Sequence, residues 1–91
     1  MTKTELLKSL VDKYCLKYNA EENKQITAFD YFVVIYDVNE LPCGTLRLEG
    51  SELVLLWFDH PPARRCDLDN PRTNDSLLEI FFTRSDEYDF R

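Results

Sequence analysis

Glycine, cysteine and long apolar runs are scarce in this sequence, and each shortage excludes a class of protein. Two glycines and no internal repeat exclude fibrous and low-complexity proteins. The three cysteines are far apart and form no CxxC pair, so we expect reduced thiols and neither a disulfide framework nor a zinc or redox motif. No apolar run approaches the roughly 18 residues that a membrane-spanning helix needs.

The composition is that of one folded domain. Hydrophobic residues make up 44% of the chain and aromatic residues 13%, which is enough for a core. A domain of 91 residues does not normally need a metal or a disulfide to fold. The N-terminal sequence MTKTELLKSL has neither the apolar core nor the cleavage site of a signal peptide. We therefore expect a single domain over residues 1–91, located in the cytoplasm and without a membrane partner.

Positive charge is also scarce and unevenly placed. The formal net charge is −6, all five lysines lie before residue 25, and all six arginines lie after residue 46. A surface that binds the phosphate backbone needs clustered cations. The sequence therefore argues against direct nucleic-acid binding and is compatible with a basic protein partner, such as a nucleic-acid-binding protein or a nuclease.

The first segment predicts a helix that ends near Asn19. Thr2 and Glu5 have the spacing of a capping box, and apolar residues recur every three or four positions as far as Tyr18. The polar sequence AEENKQ that follows predicts a connector. From Ile26 onward the period changes to two, and FDYFVVIYDV predicts the first strand.

Two further strands are predicted to follow a turn with the sequence NELP. The strands CGTLRLE and ELVLLWF are joined by Gly50-Ser51, which has the glycine-first pattern of a type II′ hairpin. This turn predicts that Leu48 faces Leu53 and that Gly44 faces Trp57, because the missing glycine side chain leaves room for the indole. One face of the three strands is then apolar, and we expect the helix to cover it. On that face the register places Tyr31, Val33 and Ile35 beside Leu48, Leu46 and Gly44.

The opposite face of the same strands is also apolar, and one helix cannot cover both faces. We expect this second face to be buried by residues 59–75, by the C-terminal segment or by another chain. The residues predicted to lie on it are Phe32, Val34 and Tyr36 on the first strand, Cys43, Thr45, Arg47 and Glu49 on the second, and Val54, Leu56 and Phe58 on the third.

Residues 76–84 carry two competing signals. Ser76 and Glu79 have the spacing of a capping box, which favours a helix, whereas IFFT favours a strand, and we predict a strand. The final residues, SDEYDFR, form an acidic tail. The predicted fold is therefore α+β, with one N-terminal helix packed on a four-stranded antiparallel meander sheet. This order of elements resembles the cystatin or monellin arrangement, without an inhibitor motif of that family.

Residues 59–75, DHPPARRCDLDNPRTND, are predicted to form a long loop, and such a loop in a compact domain is commonly functional. The segment holds three of the four prolines and the only histidine. His60 and Cys66 are candidates for a base and a nucleophile, or for two metal ligands. Each role needs further groups at suitable spacing, and the sequence does not supply them. We expect no catalytic residue, no metal site and no cofactor.

The sequence therefore predicts a non-enzymatic protein-binding module. The predicted type is a small acidic inhibitor of another macromolecule, as in immunity, antitoxin or viral anti-defence proteins, with nucleic-acid mimicry as one mode. Two alternatives stay open: a homodimeric structural or chaperone-like adaptor subunit, and a small metal-binding protein or enzyme that uses His60 and Cys66. Aromatic and arginine side chains dominate protein interfaces. The predicted partner-binding residues are Phe32, Tyr36, Phe58, His60, Arg64, Arg65, Asp67 and Asp69.

Overall fold

A computed structural model describes residues 2–22 and 31–83 of the chain. The described strands form one antiparallel sheet in the order β1-β2-β3-β4-β5. The α+β class is confirmed, but the sheet has five described strands instead of four. A second helix follows the sheet, so the cystatin-like layout is not confirmed. The elements are α1 (Lys3–Tyr14), β1 (Asn19–Glu22), β2 (Tyr31–Tyr36), β3 (Pro42–Glu49), β4 (Glu52–Trp57), β5 (Arg64–Asp67) and α2 (Asp75–Phe82).

Helix α1 begins where the sequence predicted. The side-chain oxygen of Thr2 accepts a hydrogen bond from the Glu5 amide at 3.1 Å, which satisfies one of the amides that every helix start leaves without a partner. Leu7 and Val11 lie on the apolar stripe and are fully buried against the sheet. The amphipathic pattern therefore identified both the helix and its buried side.

The end of α1 differs from the prediction, because the helix stops at Tyr14 and not near Asn19. The backbone of Cys15 leaves helical geometry while its amide still donates to the Val11 carbonyl at 2.7 Å. This exit lets Tyr18 pack its ring 5.1 Å from the ring of Trp57. The apolar stripe extends past the helix because Tyr18 joins the core through a turn.

The predicted polar connector after α1 is wrong at its start, where the chain forms β1. Asn19 pairs with Tyr36 and Glu22 pairs with Val33 in an antiparallel ladder. The backbone hydrogen bonds of an edge strand do not require apolar side chains, so a polar sequence can pair there despite its low strand propensity. The part of the predicted first strand that precedes Tyr31 lies outside the described residues, as does the acidic tail after Thr83.

The hairpin between β3 and β4 has the predicted register. Leu48 pairs with Leu53 and Gly44 pairs with Trp57. Gly50 has φ +64°, as the glycine-first turn requires. A Cβ atom at Gly44 would lie 2.9 Å from Cε3 of Trp57 and 2.8 Å from the Leu56 carbonyl oxygen, so the indole occupies the space that a side chain would need. The pairing of β2 with β3 is confirmed as well.

A β-bulge corrects the predicted position of Cys43. The register of β2 against β3 shifts between Ile35 and Tyr36, so that Tyr36 pairs with Pro42 and not with Cys43. A bulge adds a residue to one strand and redirects its side chain. The Cys43 thiol is therefore buried with the core, 3.5 Å from the Ile35 carbonyl oxygen, and does not lie on the opposite face.

The segment 59–75 is not the unstructured loop that we predicted. Its residues 64–67 form β5, which pairs with β4 and places Cys66 opposite Leu53 and Arg65 opposite Val54. Cys66 is buried against the core. The prolines and charges of this segment suggested a loop, but a strand as short as β5 needs only one apolar residue facing inward.

The predicted C-terminal strand is also wrong, because residues 75–82 form α2. The capping residue is Asn74, whose side-chain oxygen accepts from the Leu77 amide at 3.0 Å. Leu78, Phe81 and Phe82 recur at helical spacing and are buried in the core. The aromatic pair that favoured a strand lies on one side of a helix, because residues 78, 81 and 82 share one face at 3.6 residues per turn.

Both helices pack on one side of the sheet, which is called the first face here. The ring of Phe82 stacks on Tyr14 of α1 at 5.4 Å and meets Phe81 edge-on at 5.1 Å. The core between the helices and the first face includes Leu7 and Val11 of α1, Val33 and Ile35 of β2, Leu46 and Leu48 of β3, Leu53, Leu55 and Trp57 of β4, Cys66 of β5, and Leu78, Phe81 and Phe82 of α2.

Candidate protein-binding face

The side of the sheet that points away from both helices is called the second face. Successive side chains of a strand point to opposite faces, and the paired registers therefore identify its members. They are Asn19 and Glu21 of β1, Phe32, Val34 and Tyr36 of β2, Thr45, Arg47 and Glu49 of β3, Glu52, Val54 and Leu56 of β4, and Arg65 and Asp67 of β5.

Most apolar side chains of the second face are less buried than those of the first, although Val54 is fully buried. Phe32, Val34, Tyr36 and Leu56 are half-buried, and Phe58, directly after β4, is 50% exposed. By contrast, the residues that alternate with them, such as Val33, Ile35 and Leu55, are fully buried. The second face therefore presents aromatic and aliphatic surface that is available for contact.

A group of charged side chains lies beside this apolar surface. The Arg65 guanidinium contacts the Glu52 carboxylate at 2.7 Å and the Glu49 carboxylate at 3.0 Å. These two hydrogen bonds raise the pKa of Arg65, the contact with Glu52 contributing most. Arg47 lies 3.9 Å from the same Glu49 carboxylate. Both arginines of the second face thus lie against carboxylates of their own sheet.

Asp67 extends the acidic side of the second face and also shapes the chain after β5. Its carboxylate accepts from the Ser51 hydroxyl at 3.0 Å and from the Asp69 amide at 2.9 Å. The Asn70 side chain then accepts from the Arg72 amide at 2.9 Å. These contacts are typical of turns that begin at Asp and Asn.

Arg64 lies on the opposite side of the sheet from Arg65. Its guanidinium donates to the Phe81 carbonyl at 3.0 Å and to the Thr83 carbonyl, at the C-terminal end of α2. Burial lowers the pKa of Arg64. A cation at this position satisfies carbonyls that the helix end leaves without partners. The structure therefore gives Arg64 a role in joining β5 to α2 and does not bring it together with Phe32 or Arg65.

His60 and Asp69 lie near opposite ends of the sheet. The His60 amide donates to the Trp57 carbonyl at 3.0 Å, at the end of β4, whereas Asp69 follows the end of β5 beside Ser51.

Of the eight predicted partner-binding residues, five share the second face or its margin. These five are Phe32, Tyr36, Phe58, Arg65 and Asp67.

The structure does not bring His60 and Cys66 together as a catalytic pair. Cys66 lies opposite Leu53, and His60 follows Trp57, four residues further along β4. At about 3.3 Å per residue, Leu53 and Trp57 are separated by roughly 13 Å along β4, and Cys66 and His60 lie beside these two distant positions. Burial raises the pKa of the Cys66 thiol, which favours its unreactive protonated form.

A pocket of about 260 Å³ lies away from the second face, between the C-terminal ends of α1 and α2. Cys15 and Phe82 contribute to its lining. Burial raises the pKa of the Cys15 thiol to about 12, so this sulfur stays protonated near neutral pH. Cys15 therefore packs as a small hydrophobic residue.

Comparison with protein-family models, with curated proteins and with solved structures finds no match to this chain. Neither of the two described helices has the length and apolar character needed to cross a membrane. Within residues 2–22 and 31–83, no group of three His, Cys, Asp or Glu side chains is arranged to hold a metal ion.

Sequence reasoning missed two features of the surface. It did not identify Glu49 and Glu52 as the partners of Arg65, because β5 was predicted to be a loop. It also placed Val38 in the first strand, which ends at Tyr36, and treated Leu41 as part of a plain turn, although both are among the most exposed apolar residues of the described chain. An available signal was the presence of two large apolar residues inside a sequence otherwise typical of a turn.

Proposed function

We propose that this chain is a non-enzymatic protein-binding module that inhibits another macromolecule by covering it with the second face. The observation that carries the proposal is the half-buried apolar surface of Phe32, Val34, Tyr36 and Leu56, with the more exposed Phe58 at its end. Aromatic side chains that bury large apolar areas are the usual anchors of protein interfaces.

Charge indicates the type of partner. The chain carries a net charge of −6, and the second face includes the carboxylates of Glu21, Glu49, Glu52 and Asp67. Arg47 and Arg65 lie against carboxylates of the same face. A basic surface complements this arrangement and would be attracted to it before contact. We therefore propose a basic protein partner of the nucleic-acid-binding or nuclease type, which an immunity, antitoxin or anti-defence protein would inhibit.

Affinity capture from the native source with matched variants tests the proposal. Phe32→Glu combined with Leu56→Glu places two charges in the apolar surface, whereas Leu16→Glu places one on the helix side, where Leu16 is 85% exposed. We expect wild type and Leu16→Glu to recover the same basic protein, and the double variant to lose it. Circular dichroism and urea unfolding of each variant confirm that it is folded.

Binding of the purified partner then measures the contribution of charge. We expect the affinity to fall as salt is raised from 50 to 500 mM, because screening weakens attraction between exposed charges. Inhibition of the partner's nucleic-acid binding or cleavage should be lost in the same double variant. Capture that does not depend on Phe32 and Leu56, or a captured partner with an acidic surface, would contradict the proposal.

The homodimer alternative uses the same face and is separated by sedimentation equilibrium of the pure protein. A stable dimer that Phe32→Glu with Leu56→Glu converts to a monomer would show that the second face binds a second copy of the chain. A monomer at all concentrations, combined with capture of a basic partner, supports the inhibitor.

A further inference from the structure

One end of the sheet exposes three large apolar side chains. Val38 is 78% exposed and Leu41 is 60% exposed, both in the turn between β2 and β3, and Phe58 is 50% exposed just after β4. These three residues are called the turn-end surface. Isolated exposed apolar residues are common. Three at one end of a small domain lower its solubility, and such groups are typical of contact sites.

The ladder places these residues at the same end of the sheet. Tyr36 pairs with Pro42, which positions the turn directly beyond this pair, and the Phe58 amide donates to the Cys43 carbonyl at 3.1 Å. Phe58 therefore lies beside the first residues of β3, to which Leu41 is joined. The turn-end surface therefore lies at the end of the sheet where Tyr36 is the last residue of β2.

Hydrogen bonds with Asp37 define the turn that carries Val38 and Leu41. The Asp37 carboxylate accepts from the Asn39 amide at 2.8 Å and from the Leu41 amide at 3.0 Å. The Asp37 amide donates to the Leu41 carbonyl at 3.0 Å, which closes the turn.

Glu40 completes this turn in a conformation that most side chains avoid. Its φ is +63°, and its amide donates to the Asp37 carbonyl at 3.0 Å. Together with the Asp37 contacts, this defines a turn in which the exposed apolar residues are ordered before any partner arrives. Such preordering lowers the entropy that an interface loses on binding.

The two segments that form the turn-end surface are rich in acidic residues. Asp37, Glu40 and Asp59 lie in the two segments that form it, and neither residues 31–46 nor residues 48–63 contain a lysine or an arginine. An apolar tip with acidic neighbours complements an apolar pocket with a basic rim. It is poorly suited to an anionic membrane, which repels the same carboxylates. Two copies of the tip would also repel each other.

We infer that the turn-end surface inserts Val38 and Leu41 into an apolar pocket with a basic rim on the protein partner, beside Phe58. This inference rests on the proposed function and identifies the part of the surface that provides specificity. The half-buried side chains of the second face supply contact area. The exposed turn-end surface provides specificity for a pocket of matching shape and charge.

A peptide selection tests the inference without knowledge of the partner. A phage library of random 12-residue peptides is selected on the folded wild-type protein, and the enriched consensus peptide is synthesised with a fluorescent label. We expect the enriched sequences to combine lysine or arginine with leucine, phenylalanine or tryptophan. Fluorescence anisotropy then gives the affinity of that peptide for each variant.

Two double variants, each with two exposed apolar side chains replaced by serine, are compared. Val38→Ser with Leu41→Ser should weaken peptide binding at least tenfold. Leu16→Ser with Ile80→Ser removes two exposed apolar side chains on the helix side and should change the affinity by less than twofold. Urea unfolding midpoints for both confirm that the domain is folded. Asp37→Ala, which removes the oxygen that accepts from both the Asn39 amide and the Leu41 amide, should give an intermediate loss.

Several results would overturn the inference. These are failure to enrich any peptide, enrichment of peptides without cations, or equal affinity for wild type and Val38→Ser with Leu41→Ser. If peptide binding is lost only in Phe32→Glu with Leu56→Glu, the turn-end inference fails while the proposed function stands. Binding of wild type to vesicles of phosphatidylcholine and phosphatidylserine, or a concentration-dependent dimer, that disappears in Val38→Ser with Leu41→Ser would assign the tip to a membrane or to self-association, and would also overturn it.

Discussion

The two faces of the sheet are built from similar side chains and have different environments. On β2, Val33 and Ile35 of the first face are fully buried, whereas Phe32 and Val34 of the second face are only half-buried. Both described helices pack on the first face. Alternation along a strand thus decides which residues share a face, but the side on which the helices pack decides which face is closed.

The two neighbouring arginines of β5 show the same difference between faces. Arg64 points to the first face and donates to carbonyls at the end of α2, so it holds secondary-structure elements together. Arg65 points to the second face and binds Glu49 and Glu52 on the surface of the sheet. Two identical side chains therefore have different roles because the pleat sends them in opposite directions.

The largest effect on stability should come from Leu55→Ala on the first face, which is compared with Leu56→Ala on the second face. Leu55→Ala removes a fully buried side chain and should lower the free energy of unfolding by about 2–5 kcal/mol. Leu56→Ala, on the half-buried second face, should cost about 1 kcal/mol, because part of the side chain is already in water. Urea unfolding measures both. Equal losses for the two variants would mean that the second face is as closed as the first.

Gly44→Ala tests how tightly the first face is packed. The added Cβ would lie 2.8 Å from a backbone oxygen and 2.9 Å from the indole of Trp57, so either the strand or the ring must shift. We expect a loss of about 1–3 kcal/mol in unfolding free energy, with a changed tryptophan fluorescence spectrum. In Gly50→Ala nothing lies within 4 Å of the new Cβ, so only the strain of its φ of +64° applies and the spectrum should not change. An unchanged spectrum in Gly44→Ala would contradict the packing described here.

The stability losses caused by replacing the two arginines of β5 should differ in their dependence on salt. Arg64→Ala leaves carbonyls of α2 without their donor and should lower the unfolding free energy by about 1–2 kcal/mol, with little dependence on salt. Arg65→Ala breaks ion pairs at the surface, so its smaller effect should disappear at 1 M NaCl. Thermal unfolding at two salt concentrations measures the difference. A strongly salt-dependent loss for Arg64→Ala would refute its role at the helix end.

The smallest expected effect concerns the contact between Asp75 of α2 and the side chains of Lys13 and Tyr14 of α1. Hydrogen bonds from Tyr14 at 2.8 Å and from Lys13 at 3.4 Å lower the pKa of the Asp75 carboxyl below its ordinary 3.8, with Tyr14 contributing most. A depressed carboxyl pKa stabilises the fold above the unfolded-state value, and this contribution is lost as the pH falls through the folded-state value. The stability difference between wild type and Asp75→Asn should therefore be larger at pH 6 than at pH 2.

An NMR titration of the Asp75 carboxyl provides the direct measurement. We expect its midpoint below 3.8, and we expect it to move upward in Tyr14→Phe, which removes the first of the two donors. A midpoint at or above 3.8 in wild type would show that the contact between α1 and α2 does not favour the charged carboxylate.

Local patterns predicted much of the fold. The capping residue Thr2, the buried stripe of α1, and the registers of β3 with β4 and of β2 with β3 follow from spacing and turn chemistry alone. They could be predicted because each depends on neighbours close in sequence. The strand β1, the strand β5 and the helix α2 could not, because pairing at an edge and burial against α1 override the local preferences of these short segments.

The candidate site divides in the same way. The alternation of β2, β3 and β4 by itself determined that Phe32, Tyr36 and Leu56 share a face and that this face is apolar. Only the tertiary structure decided that α2 packs on the first face, that Arg64 serves the fold while Arg65 lies on the second face, and that the bulge sends Cys43 into the core. The physical reason is that the direction of a side chain along a strand is a local property, whereas the covering of a face depends on where distant segments pack.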